Sequence, residues 1–142
     1  MTKQKMIELV GRYFSAVDGE NFAAIQSTLT EECVFTVETH AIRLVGFDEI
    51  REMFVRLWAD HAAVRHYDFV HVAAPDDGRI ATRFSVINTH RDGRQIHKSN
   101  SNFFEIRDGR FSQVAVYMAY VTGSDHVLVN TRLYLPEEWT GD

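Results

Sequence analysis

Only one of the 142 residues is a cysteine, Cys33, so the chain can form no internal disulfide bond. A reducing compartment therefore suits the protein, although it is not required. The sequence also lacks any segment close to the roughly eighteen consecutive apolar residues that a membrane span needs, and residues 1–9 contain no long apolar run. We therefore expect a cytoplasmic protein that does not bind membranes.

Basic residues are outnumbered by acidic ones. Fifteen Lys and Arg against twenty Asp and Glu give a formal net charge of −5. No stretch is basic enough to follow a phosphate backbone, so we expect no nucleic-acid partner. The chain also has no glycine-rich loop that would cradle a phosphate and no dinucleotide-binding fingerprint. These absences favour a function that needs no cofactor.

Metal-binding motifs and an activated cysteine are lacking as well. None of the seven histidines has the spacing of dedicated ligands, such as two histidines one helical turn apart, so we expect no metal site. His90 and His97 flank an RDGR turn and are expected to be exposed on a hairpin. Cys33 follows Glu31 and Glu32, whose charges would raise the pKa of its thiol and argue against a nucleophile.

Apolar residues, by contrast, are plentiful: 45% of the chain is hydrophobic and 12% is aromatic. A chain of this length fits one compact domain that buries about two-thirds of its unfolded surface. Without an internal repeat or a linker, we predict a single domain over residues 1–142, with its core in 5–121. The extension 122–142 would be a lid or a dimer contact. Composition does not separate a phenylalanine-rich core from a phenylalanine-lined cavity.

The clearest helix signal spans Met6–Asp18. Its apolar residues recur every three or four positions, at Met6, Ile7, Val10, Tyr13, Phe14 and Val17. Asp18 ends the helix where the macrodipole disfavours a carboxylate, and Gly19 is expected to be a left-handed cap. Asp18 and Tyr13 lie on opposite flanks of the apolar stripe, so both could reach the rim of whatever it covers. The misplaced charge indicates either a functional group or a solvated turn.

The rest of the chain predicts two more helices and six strands. Asn21 caps a short helix, residues 33–45 alternate with period two as paired strands, and Asp48 is expected to cap a helix ending near Asp60. Four β-rich runs follow, at 64–74, 79–90, 95–106 and 111–121. Short turns make them antiparallel neighbours. This order predicts an α+β domain whose helices lie against one face of a strongly bent sheet.

This order of elements, with two local motifs, resembles the SnoaL-like branch of the nuclear transport factor 2-like family over residues 5–121. The AVDGEN turn carries Asp18, and the VRHYDF segment carries His66 about fifty residues later. Both look like the Asp and His positions of the scytalone dehydratase, bile-acid dehydratase and hexachlorocyclohexane dehydrochlorinase group. The resemblance implies a conical barrel: a mainly antiparallel, six-stranded, strongly curved sheet wrapped around the long first helix. It also implies a homodimer that packs sheet to sheet.

The function implied by the resemblance is a cofactor-independent lyase or isomerase of the dehydratase or elimination type. Its substrate would be a small, largely apolar or polycyclic molecule in the mouth of the cone. His66 would be the general base, and a carboxylate such as Asp18 on its other ring nitrogen would fix the tautomer and stabilise the imidazolium. Tyr13 and Asn102 would donate hydrogen bonds to a substrate oxygen.

The ketosteroid isomerases form a sister branch that the sequence argues against. Their catalytic tyrosine falls on Tyr13 and their oxyanion-hole acid on Asn102. Their general base, however, falls on Val37, which cannot move a proton. Glu38 is adjacent but points to the opposite face by strand alternation. We therefore expect no ketosteroid isomerase chemistry.

The expected pocket wall is mostly apolar with two amides. Its predicted members are Phe35, Val37, Phe54, Trp58, Asn100, Asn102, Phe104 and Met118. The alternative is that these aromatic and Met residues belong to the core, as residues at such spacing more often do. Tyr13 and Asn102 could likewise be a hydrogen-bonded polar pair beside the core rather than substrate-binding groups. Two other functions stay open: a module that binds a hydrophobic ligand without chemistry, and a structural dimerisation domain.

Overall fold

The computed structural model describes residues 1–119, so the expected extension 122–142 lies outside the described residues. Its elements follow the predicted order. They are α1 (Lys3–Asp18), α2 (Phe22–Ser27), β1 (Leu29–Val37), β2 (Ile42–Val45), α3 (Phe47–Asp60), β3 (His61–Ala74), β4 (Arg79–His90), β5 (Gln95–Arg107) and β6 (Arg110–Tyr117). Short 3-10 turns at Glu38–His40 and Pro75–Asp77 complete the described chain.

The six strands form one mixed sheet in the order β2-β1-β6-β5-β4-β3. Strands β3 to β6 are successive antiparallel neighbours, as their short turns predict. Strand β1 is antiparallel to β2 but parallel to β6. The sheet is curled and does not close, since β2 and β3 remain as its edges. The α+β fold with a curved, mainly antiparallel six-stranded sheet is therefore confirmed.

Helix α1 packs against the face of the sheet that we call the inner face. Thr2 caps it, because its Oγ1 accepts a hydrogen bond of 3.2 Å from the Lys5 backbone N–H. The predicted stripe is buried except for Ile7, which is partly buried. The Tyr13 ring meets Phe104 edge-on at 5.9 Å, and the Phe14 ring lies 4.6 Å from that of Phe84. One apolar core thus joins α1 to the sheet.

Three local predictions are wrong. Gly19 has φ −85°, and the left-handed residue is the next one, Glu20, with φ 51°. The N-cap of α3 is Gly46 at φ 84°, which leaves Asp48 in the first turn. There its charge still suits the positive end of the helix dipole. His90 is partly buried and packs 4.8 Å from the ring of His61, so only His97 is exposed on the hairpin.

Strand β3 contains a bulge two residues after His66. Its pairing with β4 shifts between Tyr67 and Val70, and Asp68 has a left-handed φ of 55°. A bulge reverses which residues face inwards. His66 therefore faces inwards before it, and Phe69 faces inwards after it, 5.1 Å from the Phe14 ring.

Within residues 1–119, no helix is both long enough and apolar enough to cross a membrane.

Candidate active site

A cavity of about 240 Å³ lies between α1, α3 and the inner face of the sheet. Its wall is mostly apolar. The apolar members are Phe14, Val17, Phe35, Val37, Ile42, Met53, Phe54, Leu57, Val64, Phe84, Val86, Val116 and Met118, and the polar members are Tyr13, His40, His66, Asn88, Lys98, Asn100 and Asn102. An apolar pocket with a few polar groups is the usual form of a site for a small organic ligand.

His66 and Asp18 are in direct contact at this wall. The His66 Nδ1 atom lies 2.5 Å from Asp18 Oδ1, and the His66 backbone N–H donates to Asp18 Oδ2 over 2.9 Å. Both oxygens of one carboxylate are thus bound to one residue. A carboxylate on Nδ1 favours the tautomer with a proton there, which leaves Nε2 as the acceptor. The geometry suits a general base whose orientation is fixed by a partner.

The elements that carry the pair explain its position. Asp18 is the last residue of α1, and His66 lies on the inner face of β3 just before the bulge. The Phe14 ring, one turn before Asp18 on α1, packs 4.8 Å from the imidazole. Only 11% of the His66 side chain and 26% of the Asp18 side chain are exposed. The imidazole is therefore held by a carboxylate and an aromatic ring from the same helix.

Two predicted hydrogen-bond donors also line the cavity. Tyr13 is buried rather than placed at the rim, and burial, with a smaller contribution from Cys33, raises the pKa of its phenol far above the usual value. Its hydroxyl therefore stays protonated and able to donate. Asn102 is 2% exposed, and its Oδ1 is bonded to none of the residues 1–119. An unpaired buried amide oxygen is rare, and it favours a ligand group that donates a hydrogen bond, while the Asn102 Nδ2 amide is the group that could donate one.

Comparison with known proteins identifies the family of this chain. Residues 10–114 match the model of the SnoaL-like domain. The chain belongs to the SnoaL-like family. No curated protein matches its sequence.

Solved structures similar to this SnoaL-like protein share its fold. One is a proposed polyketide cyclase from Xanthomonas campestris, with a TM-score of 0.75 and 19% identity over 81% of this chain and 90% of that one. Another is a proposed isomerase from Bacillus subtilis, with a TM-score of 0.73 and 16% identity over 84% and 90%. A proposed ketosteroid isomerase from Kribbella flavida has a TM-score of 0.66 and 16% identity over 85% and 82%.

Six of the eight predicted wall residues line the cavity of this SnoaL-like protein: Phe35, Val37, Phe54, Asn100, Asn102 and Met118. Trp58 and Phe104 do not. The Trp58 ring stacks on Phe54 at 5.5 Å, and Phe104 stacks on Phe111 at 4.4 Å. Both are core residues, as the alternative interpretation of aromatic spacing allowed.

Sequence reasoning missed three polar wall residues, Asn88, Lys98 and His40. Strand alternation could have found Lys98, because it precedes Asn100 and Asn102 on the same face of β5. Asn88 is buried, and its Oδ1 is bonded to no residue of the described chain. Burial lowers the pKa of the Lys98 ammonium from its usual value.

Cys33 is buried, and burial raises the pKa of its thiol to about 12. It is therefore unsuited to be a nucleophile, but the cause is desolvation rather than its acidic neighbours. Among residues 1–119, no three His, Cys, Asp or Glu side chains are grouped to hold a metal ion.

Proposed function

We propose that this SnoaL-like protein is a cofactor-independent lyase or isomerase that abstracts a proton from a small, largely apolar substrate. The observation that carries the proposal is the contact between His66 Nδ1 and Asp18 Oδ1 at the wall of the cavity. A non-catalytic ligand-binding module needs the cavity but not this pair. A structural dimerisation domain needs neither.

The proposed reaction begins with proton transfer from a substrate carbon to His66 Nε2. The imidazolium that forms keeps its proton on Nδ1 and donates it as a hydrogen bond to Asp18 Oδ1, and the carboxylate stabilises the new positive charge. The electron pair left on carbon then moves onto a neighbouring oxygen, or forms a carbon–carbon double bond and expels a hydroxyl group, which leaves as water by taking the proton from His66 Nε2. In an apolar wall the imidazole and carboxylate interact more strongly than they would in water.

Tyr13 and Asn102 are the proposed donors to the substrate oxygen. Hydrogen bonds that strengthen as charge develops on that oxygen lower the barrier to proton transfer. The raised pKa of the Tyr13 phenol keeps it a donor across the physiological pH range. Val37 occupies the position of the ketosteroid isomerase base and lines the cavity, while Glu38 is exposed. We therefore assign the base to His66 on β3 and to no residue of β1.

The size of the cavity bears on the substrate. Its volume of about 240 Å³ lies below the roughly 300–1,000 Å³ of typical pockets for drug-sized ligands. This supports a molecule of one or two rings over a larger polycyclic one as the proposed partner.

The test is hydrogen–deuterium exchange at carbon, which needs only the first step. A panel of apolar ketones and β-hydroxyketones, with and without a carboxylate group, is incubated with the protein in D2O, and NMR follows loss of the α-proton signal and formation of enones. We expect catalysed exchange or elimination that His66→Gln slows by about 10²- to 10⁴-fold. His97→Gln changes an exposed histidine and is the matched control.

Equal rates for the wild type and His66→Gln would reject His66 as the base. If ligands saturate the cavity without any exchange, the binding module becomes the better description.

A further inference from the structure

The cavity wall carries a cation but, within residues 1–119, no carboxylate side chain. Lys98 lines the cavity, whereas none of the lining residues is Asp or Glu. This is unexpected for a chain whose formal charge is −5. Asp18 binds His66 from behind this wall and is not itself a lining residue.

The sheet register places Lys98 in line with His66. His66 pairs with Val86 across β3 and β4, and Val86 pairs with Lys98 across β4 and β5. All three line the cavity, so their side chains share the inner face. Two strand spacings, about 10 Å, separate the Cα positions of His66 and Lys98. A small molecule lying over Val86 would reach both.

Burial falls steadily towards Lys98 along β5. Phe104 and Asn102 are almost fully buried, Asn100 is 7% exposed, and Lys98 is only partly buried. Lys98 therefore lies in the more open part of the cavity and Asn102 in the more enclosed part. A ligand with an anionic end and an apolar body would be oriented by this gradient.

The Lys98 ammonium is charged and partly removed from water, and both features favour binding of an anion. Among the described residues it forms no ion pair. An ammonium that is partly removed from water is disfavoured, and burial accordingly lowers the pKa of Lys98. An anionic ligand would remove this penalty and gain a charge-assisted hydrogen bond.

We propose that the ligand of this cavity is a small apolar acid whose carboxylate binds the Lys98 ammonium. Its body fills the apolar space over Val86 and presents a carbon to His66. This inference rests on the proposed function for the reaction and adds the chemical class of the substrate.

The experiment compares two probes of nearly equal shape, 2-naphthoate and 2-naphthamide. Their dissociation constants are measured by isothermal titration calorimetry at pH 7 and low salt. We expect the wild type to bind the acid at least about tenfold more tightly than the amide. Lys98→Met should remove this preference and Lys98→Arg should keep it. Lys5→Met removes an exposed lysine of α1 and should keep the preference too.

Three outcomes would overturn the inference: no binding of 2-naphthoate by the wild type, equal affinity for the two probes, or a preference that survives in Lys98→Met. If the preference for the acid persists in Lys98→Met but disappears in His66→Gln, the carboxylate of 2-naphthoate binds His66 rather than Lys98. The measurement involves no proton transfer. A Lys98-dependent preference without catalysed exchange would therefore reject the proposed function while leaving the ligand class in place.

Discussion

At the scale of single residues, Asp18 combines an unfavourable position with a well-satisfied side chain. It lies in the last turn of α1, where the carbonyl ends make a carboxylate unfavourable by about 0.3–1 kcal/mol. Two hydrogen bonds from His66 offset this cost. A capping residue chosen for stability alone would be neutral or basic here. The carboxylate is therefore best explained by what it does to the imidazole.

Replacing Asp18 with Asn tests this explanation. Asn can still accept the backbone N–H of His66, but it no longer carries the charge that fixes the Nδ1–H tautomer and stabilises the imidazolium. We expect catalysed exchange to fall by roughly 10²- to 10⁴-fold, with a change of tautomer visible by 15N NMR of the histidines. Glu20→Gln neutralises an exposed carboxylate two residues away and should change neither the exchange rate nor the tautomer of His66. An unchanged tautomer in Asp18→Asn would contradict the prediction.

Lys98→Met should stabilise the folded protein at neutral pH. Because burial lowers the folded-state pKa of Lys98, its charged form is disfavoured by folding at every pH below that value. The penalty fades as pH rises from the lowered pKa to the unfolded value of about 10.5. We therefore expect Tm of the variant to exceed that of the wild type by a few degrees at pH 7. The difference should vanish above about pH 10.5.

Thermal melts between pH 6 and pH 11 measure the sign of this difference in Tm, with Lys5→Met as the control. A variant that is less stable than the wild type at pH 7 would show that Lys98 has a stabilising partner.

At the scale of elements, the bulge in β3 determines which side chains reach the core. After the bulge Phe69 and His71 face inwards, and His71 Nδ1 lies 2.9 Å from the buried Thr82 Oγ1. Val70 and Val72 face outwards and are exposed. An unbroken alternation from His66 would have placed the two valines inside. The bulge therefore also places Val70 and Val72 on the outer surface of the sheet.

Asp68 is the left-handed residue of this bulge, and its replacement should report on the bulge directly. Asp tolerates a positive φ better than a β-branched residue does, and Gly tolerates it without strain. We expect Asp68→Val to lower the free energy of unfolding by about 1–2 kcal/mol. Asp68→Gly, the matched control, should be neutral or slightly stabilising. Urea unfolding curves measure both, and equal midpoints for the two variants would argue against a strained position.

The sequence could predict the element order because each helix and strand has its own periodicity. The stripe of α1 and the turn signals between β3 and β6 are local, and the short turns imply antiparallel pairing. The contact between Asp18 and His66 was expected only from the family resemblance. The parallel pairing of β1 with β6 could not be derived, because it depends on long-range packing. The core positions of Trp58 and Phe104 could not be derived either, because an aromatic side chain suits a core as well as a cavity wall.

At the scale of the whole molecule, the outer face of the sheet carries an apolar row across four strands. Val72 pairs with Ala81, Ala81 with Phe103, and Phe103 with Ala115. Val72 is 71% exposed and Phe103 is 55% exposed. Tyr117, in the next row, meets the Phe103 ring edge-on at 5.7 Å. An exposed apolar surface of this kind is typical of a protein–protein interface.

We predict that this row is the sheet-to-sheet contact of a homodimer. Phe103→Asp would place a charge at its centre, so we expect the variant to be monomeric where the wild type is dimeric. Light scattering coupled to size exclusion measures the mass directly. Val55→Asp puts the same charge on an exposed apolar position of α3 and should leave the dimer intact. A wild-type mass of one chain would exclude this interface.

The parallel pairing of β1 with β6 has a consequence for the order in which the protein folds. Strands β3 to β6 are joined by short turns and can pair early, whereas β1 must wait for β6, which follows it by more than half the described chain. Loop-closure entropy makes such a contact slow to form. Asp18 precedes β1 and His66 belongs to the early hairpins. We therefore expect the hairpins of β3 to β6 to form before the contact between Asp18 and His66, which joins residues 48 positions apart in the chain.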